Sequence, residues 1–438
     1  MLLNAADKAL WRLALPMIFS NITVPLLGLV DTAVIGHLDS PVYLGGVAVG
    51  ATATSFLFML LLFLRMSTTG LTAQAWGAKD PQRLARALVQ PLALALGAGV
   101  LIILLRLPLI DLALHIVGGS EAVLEQARRF LEIRWLSAPA SLANLVLLGW
   151  LLGVQYARAP VILLVVGNLL NIVLDLWLVM GLRMNVQGAA LATVTAEYAT
   201  LIIGLLMAKR VLTLRGVSLA MLKNAWRGDL RRLLALNRDI MLRSLLLQLC
   251  FGALTVFGAR LGSDIVAVNA VLMTMLTFTA YALDGFAYAV EAHSGQAYGA
   301  RDGSQLLEVW RAACRQSGMV ALAFALIYSL AGQYIIALLT SLPSLQPLAD
   351  RYLIWQTILP VVGVWCYLLD GMFIGATRGA EMRNSMAVAA AGFAVTLLTL
   401  PVLGNHGLWL ALGVFLALRG LSLALIWRRH WRRGTWFS

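Results

Sequence analysis

Gln74-Ala-Trp-Gly-Ala-Lys-Asp80 recurs as Gln296-Ala-Tyr-Gly-Ala-Arg-Asp302, displaced by 222 positions. The same displacement carries Gly36 onto Gly258, Ala48-Val49 onto Ala270-Val271, and Phe130-Leu131 onto Tyr352-Leu353. It also carries Gly149 and Gly153 onto Gly371 and Gly375. A constant offset held over more than a hundred residues marks an internal duplication. The chain therefore reads as two similar halves, each of which must fold the same way.

What each half folds into follows from composition. Of the 438 residues, 61% are hydrophobic and 12% charged, with mean hydropathy +0.86. A soluble domain carries about 25% charged residues. In hydrocarbon each backbone N–H and C=O must be satisfied inside its own segment, so apolar runs of this kind should be helices. A transmembrane barrel needs alternating polarity, whereas Leu92–Leu105 and Ala321–Thr340 are apolar on nearly every face. The expectation is an all-α polytopic membrane protein. It has twelve transmembrane helices in two pseudo-symmetric six-helix lobes: 1–208 and 240–427, joined by a basic linker (209–239) and followed by a basic tail (428–438). The first apolar run, with Pro16, Pro25 and Asp31, reads as a retained helix and not a cleaved leader.

The net charge of +13 does not indicate nucleic acid, because the basic residues punctuate the ends of apolar runs. The termini and even-numbered loops hold 24 Lys and Arg, counting the cluster from Lys209 to Arg243, and the opposite loops hold 7. By the positive-inside rule both termini are cytoplasmic. Matching basic loops then fall on one side in both halves, so the repeats are parallel, about an axis along the membrane normal. Three cysteines, Cys250, Cys314 and Cys366, suit neither a disulfide framework nor a zinc site. Five histidines without metal-ligand spacing, and no phosphate-binding loop or nucleophile elbow, argue against an enzyme and against direct ATP drive.

Two bundles related in this way enclose a cleft that rocking exposes to each side in turn, which favours transport. A carboxylate in hydrocarbon costs at least about 2.5 kcal/mol, so each one needs an account. Asp31 lies about 30 Å and Asp175 about 22 Å up their helices from the cytoplasmic ends, at 1.5 Å per residue. Asn171 is one turn below Asp175 on the same face. The offset places Ala253 opposite Asp31, and no acid in the segment matching Asp175. Burial disfavours an ionised carboxylate, and a second carboxylate disfavours it further. We therefore expect Asp31 and Asp175 to form a coupling-ion site that holds and releases H⁺, or that with Asn171 ligates Na⁺. Asp284, Glu291 and Asp370 fall in the inner half of the C-terminal lobe, as a second or substrate site, with Glu291 and Asp370 alternatively wet residues at the cytoplasmic edge. Arg65 and Arg419 read as counter-ions and Glu197 as paired with a neighbour. Pro16 and Pro25 each remove a helix hydrogen bond and permit a kink.

These residues resemble the multidrug and toxic compound extrusion family over essentially the whole chain. The motifs are Val30-Asp-Thr-Ala-Val-Ile-Gly36, Asn171-Ile-Val-Leu-Asp175, Asp284-Gly285 with Glu291 and Gly295-Gln-Ala-Tyr-Gly299, and Asp370-Gly371 with Gly375-Ala-Thr-Arg-Gly379. The resemblance implies a monomeric antiporter in the bacterial inner membrane, expelling small organic, often cationic, compounds for H⁺ or Na⁺, without a cofactor. It further implies that Asp31, Asn171 and Asp175 are the cation site, that Pro16 is the bending proline, and that Asp370 is a functional acid. Trp135 and Asn144 are equal candidates for a fourth-span contribution. A lipid-linked precursor flippase of the same superfamily is the alternative, but it calls for several cleft cations where two intramembrane arginines are found.

Overall fold

The computed structural model describes every residue except Met1, Leu2, His37, Asp39, Asp229 and Ser341, and all side chains but those and 23–33. Helices account for nearly all of it, with no strand among the described residues. The first, α1, is Ala5–Ile35. Eleven further stretches are long and apolar enough to cross a membrane: α2 Pro41–Gly77, α3 Pro81–Leu104, α4 Glu121–Gly153, α5 Ala159–Gly181, α6 Asn185–Leu214, α7 Leu230–Leu261, α8 Ser263–Ala300, α9 Gly303–Leu339, α10 Leu345–Gly375, α11 Gly379–Leu403 and α12 Asn405–Arg433. With α1 they make up the expected twelve. The interval between α6 and α7 is itself partly ordered, with a short helix at Leu219–Asn224.

The chain divides into two compact units, 22–234 (the N-lobe) and 1–21 with 235–438 (the C-lobe). The division falls inside α1, between Asn21 and Ile22. The first five turns of α1 belong to the C-lobe because their polar and aromatic side chains find partners there. Asp7 pairs with Arg315 at 3.0 Å. Trp11 donates from Nε1 to Gln316 Oε1 at 2.9 Å and meets the Phe286 ring edge-on. Asn21 donates to the Tyr281 carbonyl at 3.2 Å. Pro16 lies half-buried in this part, within unbroken helix, whereas the Pro25 and Asp31 side chains lie outside the described residues.

Within each lobe the duplication is legible atom by atom. A Cβ on Gly149 would sit 2.5 Å from the Arg65 carbonyl oxygen, and one on Gly371 would sit 2.6 Å from that of Ala287. One turn on, a Cβ on Gly153 would be 2.7 Å from Thr72 Cβ, and one on Gly375 would be 2.6 Å from Ser294 Oγ. Each pair is related by the sequence offset. These glycines let α4 cross α2, and α10 cross α8, at backbone contact, the packing that apolar solvent leaves available to helices. The loops repeat too. Lys79 and Arg301 both have positive φ (53° and 54°). Asp80 and Asp302 then cap α3 and α9, accepting from Arg83 N at 3.3 Å and Gln305 N at 3.1 Å.

The C-terminal tail is folded onto the C-lobe. Trp436 is fully buried, edge-on to Phe373 and beneath the Arg378 guanidinium. Arg378 Nη2 donates to the Thr435 and Trp436 carbonyls at 3.0 and 2.8 Å. His430 bridges Thr435 Oγ1 (2.7 Å) and Glu381 Oε1 (2.9 Å).

Two outcomes are expected. Gly149→Val and Gly371→Val each force crossing helices apart and cost about 1–3 kcal/mol, the usual penalty of overpacking; thermal melts in detergent unchanged for both variants contradict the close approach. Trp436→Ala costs about 3–5 kcal/mol locally and accelerates tryptic cleavage after Arg432 and Arg433; cleavage at the parent rate means the tail is not docked.

Candidate functional site

In the N-lobe, α5 begins with Pro160 in its first turn, where the missing N–H costs nothing, and then runs apolar, but for Asn168, up to Asn171. Asn171 and Asp175 follow one turn apart, and both side chains are buried, Asp175 completely. Directly after Asp175 the helix widens into a π-helical turn over Leu176–Gly181. Its closing bonds are Leu182 N–H to the Trp177 carbonyl at 2.9 Å and Met184 N–H to that of Leu178 at 3.0 Å. Such turns insert an extra residue and re-aim the neighbouring side chains, and they concentrate at functional sites. The corresponding part of α11 has instead a tight turn at Leu397–Thr399 and no acid. From α6, Thr193 Oγ1 reaches Asn171 Oδ1 at 3.4 Å while also donating to the Ala189 carbonyl at 3.2 Å. The structure therefore brings Asn171 and Asp175 together and adds Thr193. Asp31 lies outside the described residues.

One turn beyond Thr193 on α6 is Glu197, which accepts from Asn144 Nδ2 of α4 at 3.0 Å, its own carbonyl accepting from the same amide at 3.2 Å. Of the two fourth-span candidates, Asn144 is thus the one that joins the polar seam. Trp135 is fully engaged elsewhere, donating to Thr54 Oγ1 at 3.0 Å in an apolar core. Thr193 was not singled out from sequence. Its signal was its place one turn before Glu197 on the same helix face, a weak one on a helix that also carries Thr195 and Thr200. Arg65, buried on α2, donates to Thr69 Oγ1 at 3.3 Å.

The C-lobe uses its acids differently. Asp370 on α10 is buried, 7% exposed, and so is not a wet residue at the membrane edge. Its Oδ2 accepts from Arg243 of α7 at 2.6 Å and from Arg419 of α12. Both arginines are also buried. Arg419 is the counter-ion the sequence suggested. Arg243 is a correction, because charge counting assigned it to the cytoplasmic cluster, yet α7 begins at Leu230 and carries it into the lobe. Asp284 is half-buried on α8. Glu291, seven residues on along the same helix, is buried.

The two lobes offer different chemistry. The N-lobe presents a carboxylate with amide and hydroxyl oxygens beside it, which can take up a proton or a hard cation. The C-lobe presents a carboxylate already committed to two fixed cations.

Comparison with known proteins agrees with this architecture. The MatE family model matches residues 16–177 and 240–403, one match in each half of the chain. The chain is 87% identical over 436 residues to the DNA damage-inducible protein F of Escherichia coli K12, covering 100% of this chain and 95% of that one. It is 23% identical to the probable multidrug resistance protein NorM of Acinetobacter baylyi over 96% of this chain and 94% of that one. Among solved structures, that of a MATE protein in the bent conformation superposes with TM-score 0.84 at 23% identity, over 98% of this chain and 96% of the other. On the double match, the near-identical relative and the shared fold, the chain is a multi-pass membrane protein belonging to the MatE family of transporters.

Proposed function

We propose that this transporter is a secondary antiporter that exports small organic cations in exchange for protons. It would act as a monomer with both termini in the cytoplasm. The observation that carries the reading is Asp175, completely buried one turn from Asn171 in the N-lobe, in a chain whose relatives include a probable multidrug resistance protein. A protonated carboxylate is cheap to bury and an ionised one is not. Asp175, with Asp31 proposed as its partner from α1, therefore has two stable conditions: protonated in a dry lobe, or ionised when a cation or water can reach it. A substrate cation and a proton compete for that negative charge, and competition for one site alternately open to each side is exchange. Pro16 and Pro25 flank the point at which α1 passes from one lobe to the other. We assign them the bend that changes access.

A second reading is favoured by one observation, the pairing of the neutral Thr193 and Asn171 oxygens one turn before Asp175, which suits Na⁺ as the coupling ion. The flippase reading is weakened because Arg243 and Arg419 are both tied to Asp370. That leaves Arg65 as the remaining buried intramembrane cation among the described residues.

In proteoliposomes, an imposed pH gradient should drive uptake or release of a fluorescent organic cation. Asp175→Asn should reduce that rate at least tenfold while the protein elutes as a folded monomer; parent-like transport by the variant removes Asp175 from the mechanism. A rate that follows an imposed Na⁺ gradient, and not pH, selects the Na⁺ reading. For the C-lobe, Asp370→Asn leaves two buried arginines facing each other and should cost about 3–5 kcal/mol of stability, with part recovered in Asp370→Asn/Arg419→Met. A stable but transport-dead Asp370→Asn would instead make Asp370 a second transport site.

A further inference from the structure

At the end of the N-lobe where the positive-inside rule places the cytoplasm, three arginines surround one small cavity that the transport reading does not use. Arg83 and Arg86 stand on the first two turns of α3, with Gln90 one turn further on the same face. Arg232, from the start of α7, closes the other side, and Leu71 and Pro91 form the floor. The cavity has a volume of about 70 Å³. That is well above the ~10–15 Å³ a water needs and far below the ~300–1,000 Å³ of a drug-sized site. It suits a single oxyanion.

The site is built by the linker. Gln90, itself 5% exposed, donates from Nε2 to the Trp226 carbonyl at 3.2 Å and the Gly228 carbonyl at 3.4 Å. This pins the interhelical chain onto α3. Gly228 has φ +121°, and a Cβ there would lie 2.7 Å from Arg86 Cζ. The backbone thus passes close to that guanidinium with no room for a side chain; among the described residues Arg86 Nε is buried without a hydrogen-bond partner. Arg232 donates to Gln74 Oε1 at 3.4 Å, so it is oriented and not free-swinging. Like charges on one helix face repel, and here three guanidinium groups gather around one cavity. Among the described residues Asp80 caps α3, and Asp229 follows Gly228 in sequence. Counting both leaves an excess of positive charge.

We propose that Arg83, Arg86 and Arg232 form a phosphate-binding site in which the linker seats against the N-lobe. Guanidinium forks match phosphate oxygens in geometry as well as charge. The arginines lie on the first turns of a membrane-crossing helix, at headgroup level, so the source of the phosphate is the headgroup of an anionic phospholipid. Free inorganic phosphate shares the chemistry and is the other possible source. A bound phosphate would neutralise the cluster and tie α3, the linker and α7 together.

The test uses the full-length protein in detergent, stripped of lipid, followed by thermal melting. Phosphatidylglycerol should stabilise it saturably and phosphatidylcholine should not. Arg83→Gln/Arg86→Gln should weaken the phosphatidylglycerol response about tenfold or more. Arg428→Gln/Arg429→Gln, which removes the same charge from the exposed basic strip of α12, should change it less than twofold. Arg86→Lys, which keeps the charge and loses the fork, should fall between them and guards against a misfolded double variant. Stabilisation by millimolar inorganic phosphate alone, with the same dependence on Arg83 and Arg86, supports the site with free phosphate as its ligand. Equal losses for the two double variants, or no loss for Arg83→Gln/Arg86→Gln, overturn the proposal. Neither result touches the Asp175 assignment, because transport driven by the ion gradient is measured separately.

Discussion

A polar group buried in a medium that cannot solvate it must find its partner inside the protein, and this constraint runs through every level of the molecule. It makes the backbone helical, since a helix alone satisfies its own N–H and C=O groups along a single segment. It draws the helices together at glycines, because lipid offers no hydrophobic gain for association and only backbone-close packing competes with lipid contact. It also shows in the partners that acids inside the lobes acquire. Asp370 is met by Arg243 and Arg419; Glu197 is met by Asn144; Asp175 sits with Asn171 and Thr193 close by.

The two lobes show how a duplicated scaffold acquires a division of labour. Their helix crossings, their positive-φ loop residues and their aspartate caps correspond at one offset. The buried charges do not. Packing constrains positions where backbones touch, and any side chain there larger than hydrogen collides. Positions facing the interior of a lobe accept whatever polarity is satisfied locally, so charge diverged while geometry persisted. The π-helical turn after Asp175, opposed by a tight turn without an acid in α11, is the backbone counterpart of that divergence.

The linker and the C-terminal tail are more structured than their composition suggests. From sequence the interval and the tail are recognised only as basic segments outside the apolar spans. In the fold the interval is anchored through Gln90 onto α3, and the tail is held by Arg378 and a buried Trp436. Each anchor joins residues far apart in the chain, 136 positions in one case and 57 in the other. Local periodicity carries no trace of such pairings.

Hydropathy, the repeat and the spacing of the acids were enough to establish helices, two lobes, and Asn171 beside Asp175, because each depends on residues within a turn of one another or on self-comparison. Asp370 was visible as an anomaly for the same reason. Its partners were not: Arg243 looked like one more cytoplasmic cation until α7 carried it inward, and Thr193 looked like an ordinary helix threonine until α6 brought it to Asn171. Which charge meets which is settled by helices crossing from distant parts of the chain. Sequence determines the cost of burying each charge, and only the tertiary structure determines what compensates it.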